Sequence, residues 1–209
     1  MLILSRAVPP FMKNAYLVAC PRTRAAALID PGDEVDLMID LARAERLDVE
    51  QILLTHAHID HITGVGRAVD AFRVPVWLQR EDLPLYRGVV QQGLMFGLRV
   101  DAQPDIDRFY EPGQRIAVGD LQVKVHPTPG HSPGGVCLEI NGELFVGDTL
   151  FAESIGRTDL PGGDHATLLD SIQQVLFAFP DPTPVHPGHG PSTTIGRERE
   201  TNPWVVRGS

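Results

Sequence analysis

Between positions 55 and 61 the chain reads Thr55-His56-Ala57-His58-Ile59-Asp60-His61, three histidines and a carboxylate in one short run. In extended backbone, residues i and i+2 point to the same side, so His56 and His58 can grip one ion. A helix that begins near Asp60 turns the chain there and sends Asp60 and His61 toward a second point. Three later segments have the same grammar, a ligand-type residue among turn residues. They are Thr128-Pro129-Gly130-His131-Ser132-Pro133-Gly134, Val146-Gly147-Asp148-Thr149 and His186-Pro187-Gly188-His189-Gly190-Pro191. Each follows a segment of strand character, so the four sites are expected at strand ends along one edge of the molecule. The donors then divide into a three-histidine group (His56, His58, His131) and a second group (Asp60, His61, His189), with Asp148 shared.

Imidazole and carboxylate without thiolate suit Zn2+, and the same donors suit iron or manganese. Two divalent metal ions about 3.5–4 Å apart bring the pKa of a shared water toward neutrality and clamp attacking and leaving atoms. The expected chemistry is hydrolytic, with Asp60 as the catalytic residue that orients the activated water. The other histidines read as structural. His126 and His186 lie within strands, and His165 stands at a helix start beside Asp164. Arg157 has two readings, an ion pair with Asp159 or a substrate-binding clamp, since a guanidinium fork matches a carboxylate.

The elements that must hold these residues alternate between strands and helices. Short apolar runs at Ala15–Cys20 and Ala25–Ile29 read as strands, followed by the breaker Asp30-Pro31-Gly32. Val35, Met38, Ile39, Ala42 and Leu47 fall on one helical face. Gln51–Thr55 reads as a buried strand and His61–Phe72 as a helix. Pro75–Leu78 is a further strand and Glu81–Tyr86 a short helix. Residues 87–113 show no clear period and read as irregular, or as short helical pieces over one face. Leu121–His126 alternates apolar and polar residues. Val136–Ile140 and Glu143–Val146 flank Asn141-Gly142, a strong hairpin signal. A helix over His165–Phe177 with Asp164 as N-cap, a strand at Thr183–His186 and a helix over residues 192–200 complete the pattern. Two strand-rich halves, each with helices, predict an α/β fold. Its form is an αββα four-layer sandwich, two mixed sheets packed face to face with helices outside. No low-complexity linker interrupts residues 1–209, which read as one domain.

Composition narrows the function classes. The 18 basic residues face 27 acidic ones for a formal net charge of -9, which disfavours nucleic-acid partners, whose phosphates are met by clustered Lys and Arg. No apolar run is long enough to span a membrane, and Met1–Arg6 is too short an apolar stretch for an export signal. With two cysteines, Cys20 and Cys137, each in an apolar stretch, there is no disulfide framework. A cytoplasmic protein without membrane partners is the expectation.

The Thr55–His61 signature with His131, Asp148 and His189 resembles the metallo-β-lactamase-fold hydrolases. Within them the chain is similar to the glyoxalase II (hydroxyacylglutathione hydrolase) group, in its short bacterial type without the C-terminal helical domain. The similar segments include Asn14-Ala15-Tyr16-Leu17-Val18, Leu28-Ile29-Asp30-Pro31-Gly32, Met95-Phe96-Gly97-Leu98, Gly156-Arg157-Thr158-Asp159 and Glu200–Trp204. The resemblance implies a dinuclear centre and hydrolysis of a small-molecule thioester, S-lactoylglutathione or a related acylthiol. His61-Ile62-Thr63-Gly64 and Gly156–Asp159 also resemble the persulfide dioxygenases. Those enzymes hold one iron ion through residues equivalent here to His56, His131 and Asp148. The reading from another class is a non-catalytic metal-binding protein, disfavoured by seven intact potential ligands. A β-lactamase is disfavoured by the missing export signal, and nucleases of this fold by the missing basic surface. Glu153 stands where many relatives carry glycine. It either repels an anionic substrate or points into solvent.

Overall fold

The computed structural model describes residues 1–205. The first half runs β1 (Leu2–Val8), β2 (Lys13–Ala19), β3 (Ala25–Ile29), α1 (Asp36–Ala44), β4 (Asp48–Leu53), α2 (Ile59–Ile62), α3 (Val65–Phe72), β5 (Val76–Leu78), α4 (Leu83–Arg87), α5 (Val89–Met95) and β6 (Arg108–Phe109). The six strands form one sheet in sequence order, antiparallel across β1–β2–β3 and parallel from β3 to β6. The second half runs β7 (Arg115–Val118), β8 (Leu121–Pro127), β9 (Val136–Ile140), β10 (Glu143–Gly147), β11 (Leu150–Phe151), β12 (Ser154–Ile155), α6 (His165–Asp170), β13 (Pro184–Pro187), β14 (Thr193–Thr194) and α7 (Ile195–Thr201). Its main sheet has the order β14–β13–β10–β9–β8–β7, with only β13–β10 parallel.

The strand period of two sorts side chains into layers. In β2, Ala15, Leu17 and Ala19 face one core, shared with Met38, Ile39, Val65 and Ala68 of the helices. Tyr16 and Val18 face the opposite way and meet Ile116, Val123, Leu138 and Phe145 of the other sheet. The far face of that second sheet, with Cys137, Leu144 and Val185, is covered by Leu168, Ile172 and Ile195. The result is the expected αββα sandwich with three apolar layers.

Several expectations are corrected in detail. β1 was not anticipated, nor was β7, and Cys20 lies just beyond β2. The stretch 87–113 contains the short helix α5, in line with its reading as short helical pieces, and the short strand β6, which was not expected. The expected helix over His61–Phe72 is broken into α2 and α3 at Gly64, where a Cβ would stand 1.9 Å from the Gly32 carbonyl oxygen. The expected helix over His165–Phe177 is α-helical only to Asp170, after which the chain winds as a π-helix and then a 3-10 turn. The last helix begins at Ile195, not at residue 192. None of the described helices is long and apolar enough to cross a membrane.

Candidate metal centre

The loops leaving β4, β8, β10 and β13 meet at one edge of the sandwich, on the seam between the two sheets. His56, His58 and His131 bring one nitrogen each to a common point: His131 Nε2 lies 2.7 Å from His58 Nδ1 and 3.1 Å from His56 Nε2. Asp60, His61 and His189 form a second trio, with His189 Nε2 3.0 Å from Asp60 Oδ2 and His61 Nε2 3.6 Å from the same oxygen. Asp148 stands between the trios. Its Oδ1 is 3.3 Å from His61 Nε2, while its Oδ2 is 3.6 Å from His131 Nε2 and 3.5 Å from His189 Nε2. All seven residues singled out as ligands are therefore brought together.

Hydrogen bonds behind the rings decide which nitrogens are bare. Asp30 Oδ1 accepts from the Thr55 backbone N–H at 2.7 Å, and Oδ2 accepts from the Thr55 hydroxyl at 2.6 Å. With its proton given to Asp30, the Thr55 oxygen is left to accept from His56 Nδ1 at 3.1 Å, which leaves His56 Nε2 as a lone pair aimed at the cluster. Asp30 Oδ2 also faces His61 Nδ1 at 2.9 Å, and the Arg157 carbonyl accepts from His131 Nδ1 at 2.7 Å. Such carboxylate and carbonyl partners are the usual means of fixing the tautomer of a ligating histidine. His61 Nε2 and Asp148 Oδ1 face each other at 3.3 Å, buried and without a well-formed hydrogen bond, a costly state for polar atoms that a bound cation would relieve. Bare nitrogens, poorly satisfied buried polar atoms and a carboxylate reaching both trios fit two divalent ions.

The electrostatics agree. Burial, reinforced by neighbouring histidines, pushes His56 far below the usual range, and burial with His131 beside it brings His58 down to about 3. Both rings are neutral at pH 7 and meet a cation without losing a proton. Burial also opposes charge on His61, but Asp60, Asp148 and Asp30 outweigh it and raise the pKa to about 10. In turn His61 holds Asp60 and Asp148 ionised against burial. In the metal-free protein His61 therefore serves as a stand-in cation.

Four positioning residues escaped the sequence reading. Asp30 looked only like part of a Pro-Gly turn. Asp82 is fully buried and ties two ligand loops together. Its Oδ2 accepts from the Ala57 N–H at 2.9 Å and the Ser132 hydroxyl at 2.8 Å, and Oδ1 accepts from the Gly134 N–H at 2.6 Å. Gln92 brackets the same loop from α5, accepting from the Ile59 N–H and donating to the Ala57 carbonyl, both at 3.0 Å. Lys13 is the fourth, a fully buried lysine whose ammonium donates to the Asp30 carbonyl. Burial lowers its pKa to about 8, with Asp30, Asp60 and Asp148 pulling the other way. Gly32, at φ +58°, leaves room for the lysine stem, because a Cβ there would stand 2.6 Å from Lys13 Cε. No pattern flags a lone Lys, Asp or Gln. Asp30-Pro31-Gly32 was the one available signal, since a turn at a strand end beside the ligand strand places a side chain at that edge.

The remaining residues fall outside the cluster. His126 pairs with Glu139 at 2.9 Å and His186 with Glu143 at 2.6 Å, while His165 is exposed at the start of α6. Arg157 reaches the pocket wall with its fork engaged by Asp159 through two 2.7 Å bonds. Glu153 points outward and pairs with Arg197 at 2.8 Å. Next to the cluster opens a cavity of about 330 Å³, floored by His58, Asp60, His131, Asp148 and His189.

Residues 8–189 match the family model of the metallo-beta-lactamase superfamily. A hydroxyacylglutathione hydrolase, GloC of Haemophilus influenzae, is 34% identical over 202 residues, covering 95% of this chain and 95% of that protein. Among solved structures, TTHA1623 in a di-iron-bound form superposes with a TM-score of 0.89 at 41% identity, over 96% of this chain and 99% of that one. The B3 metallo-beta-lactamase BLEG-1 superposes with a TM-score of 0.92 at 35% identity, over 98% and 100%.

Proposed function

This chain belongs to the metallo-beta-lactamase superfamily, and from that membership together with the paired ligand trios we propose that it is a metal-dependent hydrolase of thioesters, glyoxalase II-like in its chemistry. The observation that carries the reading is Asp148, whose Oδ2 lies between the trios, 3.6 Å from His131 Nε2 and 3.5 Å from His189 Nε2, with Oδ1 3.3 Å from His61 Nε2, as suits a carboxylate shared by two ions. Full-length likeness to a hydroxyacylglutathione hydrolase supports the thioester as substrate. His56, His58 and His131 would hold one ion, Asp60, His61 and His189 the other, and Asp148 both, with Zn2+, iron or manganese suited to the donors. When bound there, the ions supply Lewis acidity to the thioester carbonyl and acidity to a water molecule.

The protein's own residues do the rest. Asp60, kept ionised by His61 and His189, accepts a hydrogen bond from the attacking water and aims it at the carbonyl carbon. As the C–O bond forms the water gives up a proton toward Asp60, the C–S bond breaks, and the sulfur departs as a thiolate that takes up a proton in solvent. With a thiol pKa near 8.5 it needs no strong general acid to leave. Asp82 and Gln92 keep the ligand loops in place while charge shifts across the site.

One narrower set inside the cluster, His56, His131 and Asp148, has the composition for a single iron and hence for persulfide dioxygenation. The test is a comparison on protein reconstituted with each metal. Hydrolysis of S-lactoylglutathione is followed by loss of thioester absorbance, oxygen uptake is measured with glutathione persulfide, and ring opening is measured with a cephalosporin. Thioester hydrolysis with two bound ions supports the proposal. Oxygen uptake with one iron, or turnover of the lactam alone, refutes it.

A further inference from the structure

Beside the metal ligands, and apart from Gln92 and Arg157, the wall of the pocket is apolar. Phe11, Ile59, Phe96, Phe151, Ile155 and Leu160 line it, supplied by the β1–β2 turn, α2, the end of α5, β11, β12 and the loop before α6. Phe11 and Phe96 meet edge to face with ring centroids 5.7 Å apart and form one lip of the opening. The apolar surface continues past that lip. Phe96 itself is 42% exposed, and its sequence neighbours Leu94 and Met95 and the Phe11 neighbour Met12 are 71%, 64% and 58% exposed. Scattered exposed apolar residues are ordinary, but a contiguous group at the mouth of a pocket marks a binding surface.

The charges point the same way. Arg157 is the one Lys or Arg on this pocket wall among the described residues. Its Nε and Nη2 are both bonded to Asp159 at 2.7 Å, so the pair presents no net charge. A peptide arm with two carboxylates, such as glutathione, would find no free cation here and would lose water against phenylalanine and leucine. An alkyl or aryl group would instead bury its surface against the same wall.

Resting on the thioester reading above, we infer that the substrates are acylthiols with an extended apolar group on one of the two arms of the thioester, seated along Phe11 and Phe96 and reaching the lip, and that a glutathione arm adds little to recognition. Each methylene that becomes buried contributes about fourfold in affinity.

Two substrate series on the metal-loaded protein test this. One holds the thiol as N-acetylcysteamine and lengthens the acyl group from acetyl to octanoyl. The other holds the acyl group as acetyl and lengthens an alkyl thiol. A rise in kcat/KM of about fourfold per carbon across three or more carbons is expected in one series, and that series identifies the arm. Phe96→Ala, at an exposed helix end, should reduce the gain per carbon. Calorimetry with non-hydrolysable S-methyl and S-hexyl N-acetylcysteamine thioethers reads binding apart from turnover, with the hexyl compound expected at least tenfold tighter. Flat series together with equal thioether affinities overturn the inference while leaving the hydrolase reading intact. A tenfold or greater preference for S-lactoylglutathione over lactoyl N-acetylcysteamine overturns it too. Tight hexyl binding without any thioester turnover keeps the apolar subsite and removes the proposed reaction instead.

Discussion

Asp30 is the sharpest place to perturb the centre, because one of its oxygens governs two ligand rings. Asp30 Oδ2 faces both the Thr55 hydroxyl at 2.6 Å and His61 Nδ1 at 2.9 Å. In Asp30→Asn the amide oxygen can still accept from the Thr55 N–H, so the turn keeps its anchor, but an NH2 group now stands where Oδ2 was. That group donates to His61 Nδ1 and moves the ring proton to Nε2, where it points into the cluster. It also donates to the Thr55 oxygen, whose own proton then turns toward His56 Nδ1 and places a proton on His56 Nε2. One isosteric change thus reverses the proton order in both chains. Disturbing a carboxylate behind a ligating histidine costs about 10–100-fold in metal affinity, or about 1.4–2.8 kcal/mol, and here the loss applies to both ions. Thr55→Val separates the branches: it removes the partner of His56 and leaves the Asp30–His61 contact. Competition against a chromophoric chelator, with thermal melts as a control for folding, measures each step. Two ions bound by Asp30→Asn at the parent's affinities would refute the relay, as would equal weakening of both ions in Thr55→Val.

Asp148→Asn should reduce binding from two ions to at most one, measured by elemental analysis after gel filtration, since the Asp148 carboxylate faces residues of both trios and is the one anionic group between them. Asp60→Asn should lower thioester turnover by about 10²–10³ with little change in melting temperature, and parent-like turnover would remove Asp60 from the mechanism. Gly188→Ala should displace the shared carboxylate, because a Cβ there would stand 2.1 Å from Asp148 Oδ1 and 2.8 Å from His61 Cε1. Its metal content should fall along with activity. The metal-free protein should also lose stability with rising pH. The folded-state pKa of His61, at about 10, lies above its unfolded value near 6.5. Its contribution is complete below about pH 6.5 and fades as pH climbs toward 10. From about pH 8 upward Lys13, whose folded pKa is lowered to about 8, offsets the trend. The fall is therefore concentrated between pH 6.5 and 8, at about 1.4 kcal/mol per unit, or ~2 kcal/mol in all. Urea titrations at both pH values measure it, and a metal-free midpoint independent of pH in this window would contradict the assignment of charge to His61.

The αββα layering was legible because β2, β3, β8, β9 and β10 carry strong strand-length apolar or alternating patterns, and Asn141-Gly142, with both residues at positive φ, marks a tight hairpin. β1 and β7 were missed because edge strands bury only part of each face. β7 carries just two buried residues, Ile116 and Val118. The broken helices were missed for another reason. The break between α2 and α3 is imposed by the approach of Gly64 to Gly32, a tertiary contact that propensity does not carry. At the site, the seven candidate ligands stood out by residue type and by their positions after strands. Asp30, Asp82, Gln92 and Lys13 act through partners 17 to 52 positions away, so only folding reveals them.

Each trio draws two donors from the 56–61 loop and one from the other half of the chain: His131 for the first, His189 for the second. A nascent first half offers at most two ligands per ion and holds metal weakly. Docking of the second sheet completes both trios at once, across separations as long as the 129 positions between Asp60 and His189. The centre therefore lies across the interface that global unfolding has to open. An ion that binds only the docked state stabilises it in proportion to the logarithm of free metal, and opening the seam requires that coordination to be lost. If the proposed centre is loaded, metal supply would bear on how long each chain stays folded as well as on how fast it turns over substrate. Starvation for metal would then expose this protein to degradation as well as silence it, because the open seam is what a protease would meet.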